Sequence, residues 1–266
     1  MFPVLSIGPL NIQTYGLLLL IAFWGALGLA AKEAERLGIE GDHVWNLGLY
    51  SAFGGLVAAR LGHAIVYWSA YRTNLLQLVS PTPGTLLLWP GLVVGMLVAL
   101  AYAWHAQLPL ARLADALATG ILLGLAIGSL AALATGQAYG RPTDLPWAIQ
   151  LWDARRHPTQ IYEMVATLAV LAVVWWTRAR RSRDGCGALL ALAGYAAARL
   201  FLEAFRADSA TLFAGVRAVQ VYALIALLLA LWGMSQLSNP KSQIPTESRT
   251  PTSSEQRATS ATTPND

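Results

Sequence analysis

Residues 186–205 read CGALLALAGYAAARLFLEAF, an apolar run in which only Arg199 and Glu203 are charged. About 20 apolar residues are what a helix needs to cross a hydrocarbon core about 30 Å thick at about 1.5 Å per residue. Comparable runs lie near 15–31, 46–68, 86–104, 113–134, 160–177 and 218–236. The fold class expected is therefore all-α: a polytopic membrane protein of about seven transmembrane helices. Composition agrees, because 56% of the 266 residues are hydrophobic and 12% charged, against roughly 25% charged in a soluble domain. Trp45, Tyr67, Trp68, Trp104, Trp147, Trp175 and Trp176 cluster at the ends of these runs, as rings at headgroup level do. The opening Met-Phe-Pro-Val-Leu carries no basic segment, so the first run is expected to be a retained span rather than a cleaved signal.

Basic residues give an orientation. With the N-terminus outside and the C-terminus cytoplasmic, the inner loops carry Lys32 and Arg36, then Arg112, then Arg178, Arg180, Arg181 and Arg183, and the last cluster directly follows the fifth span. The outer loops also hold Arg72, Arg141, Arg155, Arg156, Arg206 and Arg217, so the orientation rests mainly on that cluster. Residues 1–237 are expected to form one membrane domain. The loop 135–159, rich in Gly and Pro, reads as an irregular outer cap. Residues 238–266 are rich in Ser, Thr, Pro and Gln and read as a disordered cytoplasmic tail. The formal net charge of +4 is spread among loops, which leaves no nucleic-acid footprint. The single Cys186 excludes an intramolecular disulfide and a thiolate metal cluster.

The informative residues are the charges set in or beside apolar runs. Arg60 stands midway in the second run with His63 three residues on, and such a charge must face a partner or a wet cavity. It is either a structural arginine holding carbonyls or part of an anion site. Arg199, Glu203 and Arg206 fall at i, i+4 and i+7, along one helix face. An interhelical ion pair accounts for the first two, whereas two arginines against one carboxylate leave a positive site suited to phosphate. His157-Pro-Thr-Gln-Ile-Tyr-Glu163 opens the fifth span. Pro158 marks a helix start, yet His157, Gln160, Tyr162 and Glu163 gathered at the mouth of an apolar helix cost desolvation unless they serve one another or a ligand.

These residues resemble the bacterial prolipoprotein diacylglyceryl transferase family over about Ser6 to Gly233. His157 to Glu163 is similar to the family's His-Pro-Ser/Thr-Gln-Leu/Ile-Tyr-Glu signature. Gly194-Tyr195 with Arg199, Glu203, Phe205 and Arg206 is similar to its Gly-Tyr…Arg…Glu-Phe-Phe-Arg segment. Tyr15-Gly16, Arg60, Asp115, Gly136, Gly140-Arg141 and Gln220 fall at family-like positions. The resemblance implies transfer of a diacylglyceryl group from phosphatidylglycerol to the lipobox cysteine in the signal peptide of a preprolipoprotein, with release of glycerol phosphate, in the bacterial inner membrane. It implies no metal and no cofactor; the partners are phosphatidylglycerol, the precursor and membrane lipid. Fixed positive charge for the departing phosphate would come from Arg60, Arg199 and Arg206, and a proton acceptor would serve the thiol. The catalytic candidates are then Arg199, Glu203, His63 and His157, and the substrate-binding candidates Tyr15, Arg60, Gln160, Tyr162, Glu163 and Arg206.

The sequence also departs from the family pattern. Trp89-Pro90-Gly91-Leu92 stands where the family has His-Gly-Gly-Leu, and Ser129, Ala132, Thr135 and Gln137 replace an arginine, two amides and a carboxylate after the fourth span. Two readings follow: a divergent transferase in which His63 or His157 takes over as base, or a catalytically inactive paralogue that binds phospholipid or lipoprotein precursor. A transporter is a third, since intramembrane Arg and Glu also mark substrate paths, although no paired interrupted helices accompany them.

Overall fold

The computed structural model describes residues 4–7, 10–72, 86–181, 183–209 and 217–238, with backbone alone at 4–12 and 70. Of the expected tail, only Ser238 falls among the described residues; 239–266 lie outside them. Among the described residues eight α-helices follow in order: α1 Thr14–Arg36, α2 Gly41–Val66, α3 Trp68–Tyr71, α4 Leu88–His105, α5 Leu110–Thr135, α6 Thr159–Thr177, α7 Cys186–Leu202 and α8 Ala218–Ser238. All but the one-turn α3 are long and apolar enough to cross a membrane. The seven expected spans are thus present, with α1, α2 and α5 running several residues beyond their apolar cores. Two short antiparallel hairpins were not expected: β1 Val4–Ile7 with β2 Leu10–Gln13, and β3 Ile149–Leu151 with β4 Ala154–Arg156. Both lie outside the spans, where backbone groups need partners that no helix provides.

Helix α5 is the axis of the bundle, packing on α1, α6 and α7, while α2 pairs with α4 and α8 lies on α7. Small residues set these approaches, since in lipid helices associate by close packing rather than by hiding from water. Gly120 of α5 sits so close to the Ala26 carbonyl and Ala30 methyl of α1 that no Cβ would fit. Gly55 of α2 and Gly91 of α4 are reciprocal: a Cβ on either would lie 2.9 Å from the other's carbonyl oxygen. The bundle's outer face keeps large apolar side chains exposed, among them Leu20, Phe53, Ile65, Leu88, Met96 and Leu229. That is the surface a lipid-facing bundle presents, not one a soluble protein tolerates.

Two sets of contacts mark the two ends. At one, Arg112 at the start of α5 pairs with Asp184 at 2.7 Å, and Asp115 accepts hydrogen bonds from the Gly185 and Ala188 amides that open α7. At the other, α5 ends on Gly136 in the left-handed region, and Thr159 and Gln160 of α6 donate to the carbonyls of Ala138 and Gln137. The second end carries the starts of α1, α4, α6 and α8 and the finishes of α2, α5 and α7. Every residue singled out as a site candidate therefore belongs to this half of the bundle.

Candidate functional site

Glu163, one turn into α6, is the hub. Its carboxylate accepts from the Tyr195 hydroxyl at 3.1 Å, from Arg199 Nη1 at 3.0 Å and from Arg206 Nη1 at 3.4 Å. Tyr195 and Arg199 stand one turn apart on α7, so both face α6 together. Arg199 Nη2 reaches back to Glu203 at 3.1 Å, as the i, i+4 spacing foretold. Glu203 is fully buried. Arg217, just before α8, donates through Nη1 to the Glu203 backbone carbonyl and stands 3.9 Å from its carboxylate. A cation at the carbonyl end of a helix is a favourable placement.

Arg206 arrives by a different route from the expected one. The α-helix stops at Leu202, residues 203–205 form a 3₁₀ turn, and Arg206 is extended, so the i+7 face does not exist. The loop after α5 fixes it instead. Gly140 bridges to Arg206, and Arg141 and Ala207 donate from their amides to Phe205 and Tyr139 carbonyls. Gly140 is also pressed against His157, where a Cβ would meet the His157 Cβ at 2.7 Å. The cap-like segment 135–159 thus threads between α6 and the chain leaving α7. Arg206 completes a two-bond fork with Asp208, at 3.1 and 3.0 Å.

The expected surplus of positive charge is not found. Arg199, Arg206 and Arg217 face Glu163, Glu203 and Asp208, three against three. Sequence spacing exposed Glu203 only, because Glu163 and Asp208 come from another helix and a loop. What remains for an anion is donor capacity. A guanidinium carries five N–H donors; Arg199 commits two of them and Arg206 three. The carboxylates aim the forks and leave N–H groups of both guanidiniums uncommitted.

Beside this network lies an aromatic cavity of about 380 Å³ lined by Trp147, His157, Tyr162, Phe201 and Phe205. Tyr162 accepts from Trp147 Nε1 at 2.7 Å and lies 3.4 Å from His157 Nδ1. The His157 ring packs edge-on against Phe205. A second, almost wholly apolar groove of about 310 Å³ runs between α5 and α7 along Leu117, Ile121, Leu125 and Leu192 to Tyr195. It ends at the phenol that donates to Glu163.

The remaining candidates lie apart from this network. Gln160 is almost fully buried and ties α6 to the Gln137 carbonyl. His63 bonds through Nδ1 to the Tyr71 hydroxyl at 3.0 Å and stacks on Tyr67. Arg60 lies with its guanidinium 5.9 Å over the Tyr71 ring. Arg60 and His63 thus form a separate group on α2 and α3. Tyr15, in the first turn of α1, makes no hydrogen bond or ring contact among the described residues. Asp208 and Arg217 were missed, and Tyr195 was noted only within the family-like segment and not as a site candidate, although its place four residues before Arg199 carried a usable spacing signal. Ser129 and Thr135 spend their hydroxyls on carbonyls of their own helix, Leu125 and Ala131 respectively, and Trp89 is exposed at the start of α4.

Comparison with known proteins gives one consistent match. The family model described as prolipoprotein diacylglyceryl transferase matches residues 3–236. The phosphatidylglycerol–prolipoprotein diacylglyceryl transferase of Trichormus variabilis is 32% identical over 260 residues, 91% of this chain and 92% of the relative. That of Clostridioides difficile is 30% identical over 219 residues, covering 82% and 88%. That of Corynebacterium diphtheriae is 27% identical over 266 residues, covering 91% and 94%.

Proposed function

The chain belongs to the prolipoprotein diacylglyceryl transferase family, and we propose that it transfers the diacylglyceryl group of phosphatidylglycerol to the lipobox cysteine of a preprolipoprotein. In this reaction the cysteine sulfur forms a thioether bond to the glyceryl carbon that carries the phosphate. The carbon–oxygen bond breaks, its electron pair leaves with glycerol phosphate, and the thiol proton passes to a base. Negative charge grows on the departing phosphate, so the demand is for oriented donors in a site of low dielectric. The observation that carries the reading is the Glu163 hub, which holds Arg199, Arg206 and Tyr195 around one carboxylate where the apolar α5–α7 groove ends. The groove takes lipid tails and the uncommitted guanidinium N–H groups take the phosphate.

We assign the base to His157 rather than His63. His157 shares the aromatic cavity with Tyr162 and Phe205, each one residue from a member of the network, whereas the contacts of His63 stay on α2 and α3. Arg60 and Tyr15, in the same half of the bundle, are assigned to the substrate's approach. Orientation follows from charge: the end bearing Lys32, Arg36, Arg112 and Arg178 to Arg183 is cytoplasmic. The N-terminus, the 135–159 loop and the Glu163 network then face outward from a bacterial inner membrane, and the tail 239–266 is cytoplasmic.

Expression in a strain depleted of its own transferase tests this. Expected is restored lipoprotein modification, lost on Arg199→Ala; absence of modification at full membrane expression overturns it. The inactive-paralogue reading has one observation in its favour, the turning of Ser129 and Thr135 onto their own helix where the family pattern carries an arginine and an amide.

A further inference from the structure

The opposite end of the bundle holds a second concentration of arginine that the transfer reaction does not use. A cavity of about 80 Å³ is lined by Arg36, Arg178, Arg181, Arg183, Asp115 and Asp184, with Leu37 completing the wall. Its carboxylates are already engaged. Asp184 pairs with Arg112 at 2.7 Å. Both oxygens of Asp115 accept amides that open α7. Buried Glu33, at the end of α1, is held by Arg36 in a two-bond fork and stands 3.6 Å from Arg178. Arg181 donates Nη2 to the Val174 carbonyl, and Arg183 has neither ion pair nor hydrogen bond among the described residues. Four guanidiniums thus line one small cavity; Arg36 and Arg178 share the single Glu33 carboxylate, and Arg181 and Arg183 have no carboxylate partner among the described residues.

The surroundings identify the ligand's source. Arg178 lies 3.8 Å over the Trp175 ring and Arg180 lies 5.1 Å over that of Trp176. Trp176 is exposed on the bundle surface. Indole rings paired with arginines at the end of an apolar helix stand at the headgroup level of a bilayer. The volume has room for a phosphate group, and planar forks are the donors that grip phosphate. We infer that this cavity, formed where α1, α5, α6 and α7 meet, binds the headgroup phosphate of an anionic phospholipid on the leaflet opposite the Glu163 network. A bound lipid would bridge the end of α6 to the start of α7 and hold the cluster that sets orientation. Basic pockets between helices at a cytoplasmic face are suited to such headgroups.

The test uses the full chain in vesicles of phosphatidylcholine containing phosphatidic acid, followed by extraction and native mass spectrometry of retained lipid. One phosphatidic acid is expected to stay bound to the wild type. Arg183→Gln and Arg178→Gln each lower retention roughly fivefold, while Arg155→Gln, an exposed arginine at the other end, leaves it unchanged. Because Arg178 also neighbours Glu33, Arg183→Gln carries the decision if Arg178→Gln fails to fold. Equal retention by the wild type and Arg183→Gln overturns the inference, as does loss on Arg155→Gln alone. Displacement of the lipid by millimolar inorganic phosphate would make this a site for a free anion and overturn the lipid assignment. None of these outcomes depends on transferase activity.

Discussion

Glu163 accepts from a phenol and two guanidiniums at once, so neutralising it releases both arginines from their aim without removing either. Glu163→Gln is expected to lower transfer about 10²- to 10³-fold, the cost of losing one preorganised oxyanion-stabilising element, with the helical fold retained by circular dichroism. Tyr195→Phe removes one hydrogen bond to a charged group, worth about 1.5–3 kcal/mol, and is expected to lower the rate at least tenfold. His157→Ala should abolish transfer while His63→Ala leaves a measurable rate; the reverse order in a transfer assay would move the base to α2. At this scale the sequence was legible where partners share a helix. Arg199 with Glu203 followed from spacing alone. Asp208 and Arg217 did not, because the chain leaves helical geometry at Leu202 and folds both back from segments that spacing rules do not reach.

Helices α1 and α5, like α2 and α4, approach through glycine, and that contact leaves no room for a side chain. Gly120→Val forces its methyl groups against the Ala26 carbonyl and Ala30, an overpacking expected to cost about 1–3 kcal/mol. Gly128→Ala, at a position where a Cβ meets nothing within 4 Å, is the neutral control. Thermal unfolding in detergent checks both; equal midpoints would contradict the packing described here. The spans were legible because twenty apolar residues in a row admit few other structures. The hairpin β3–β4 was not, since Trp152, at its turn, adopts a positive φ of 54°, a conformation with no sequence signal in tryptophan. The breaker-rich composition of 135–159 announced an irregular segment, but not that Gly140 and Arg141 would dock it on Phe205 and Arg206.

Across the whole molecule, chemistry and charge are segregated between two ends. The Glu163 network and its aromatic cavity occupy one; the arginine-lined pocket of Arg178 to Arg183 occupies the other. Orientation in the membrane therefore decides on which face the Glu163 network lies. In a Cys186→Ala background, a cysteine placed at Asp144 is expected to react with a membrane-impermeant maleimide on intact cells, and one at Asp184 only after permeabilisation. Labelling in the opposite order would invert the topology. The most direct test of the central claim is transfer itself. The purified full chain, in vesicles containing phosphatidylglycerol labelled in both its acyl chains and its headgroup glycerol, is given a lipobox peptide. One diacylglyceryl thioether is expected to form for each glycerol phosphate released, with both products lost in Arg199→Ala. A wild-type protein that is folded and membrane-inserted yet forms no thioether, or an Arg199→Ala variant that forms it at the wild-type rate, would contradict the site described here.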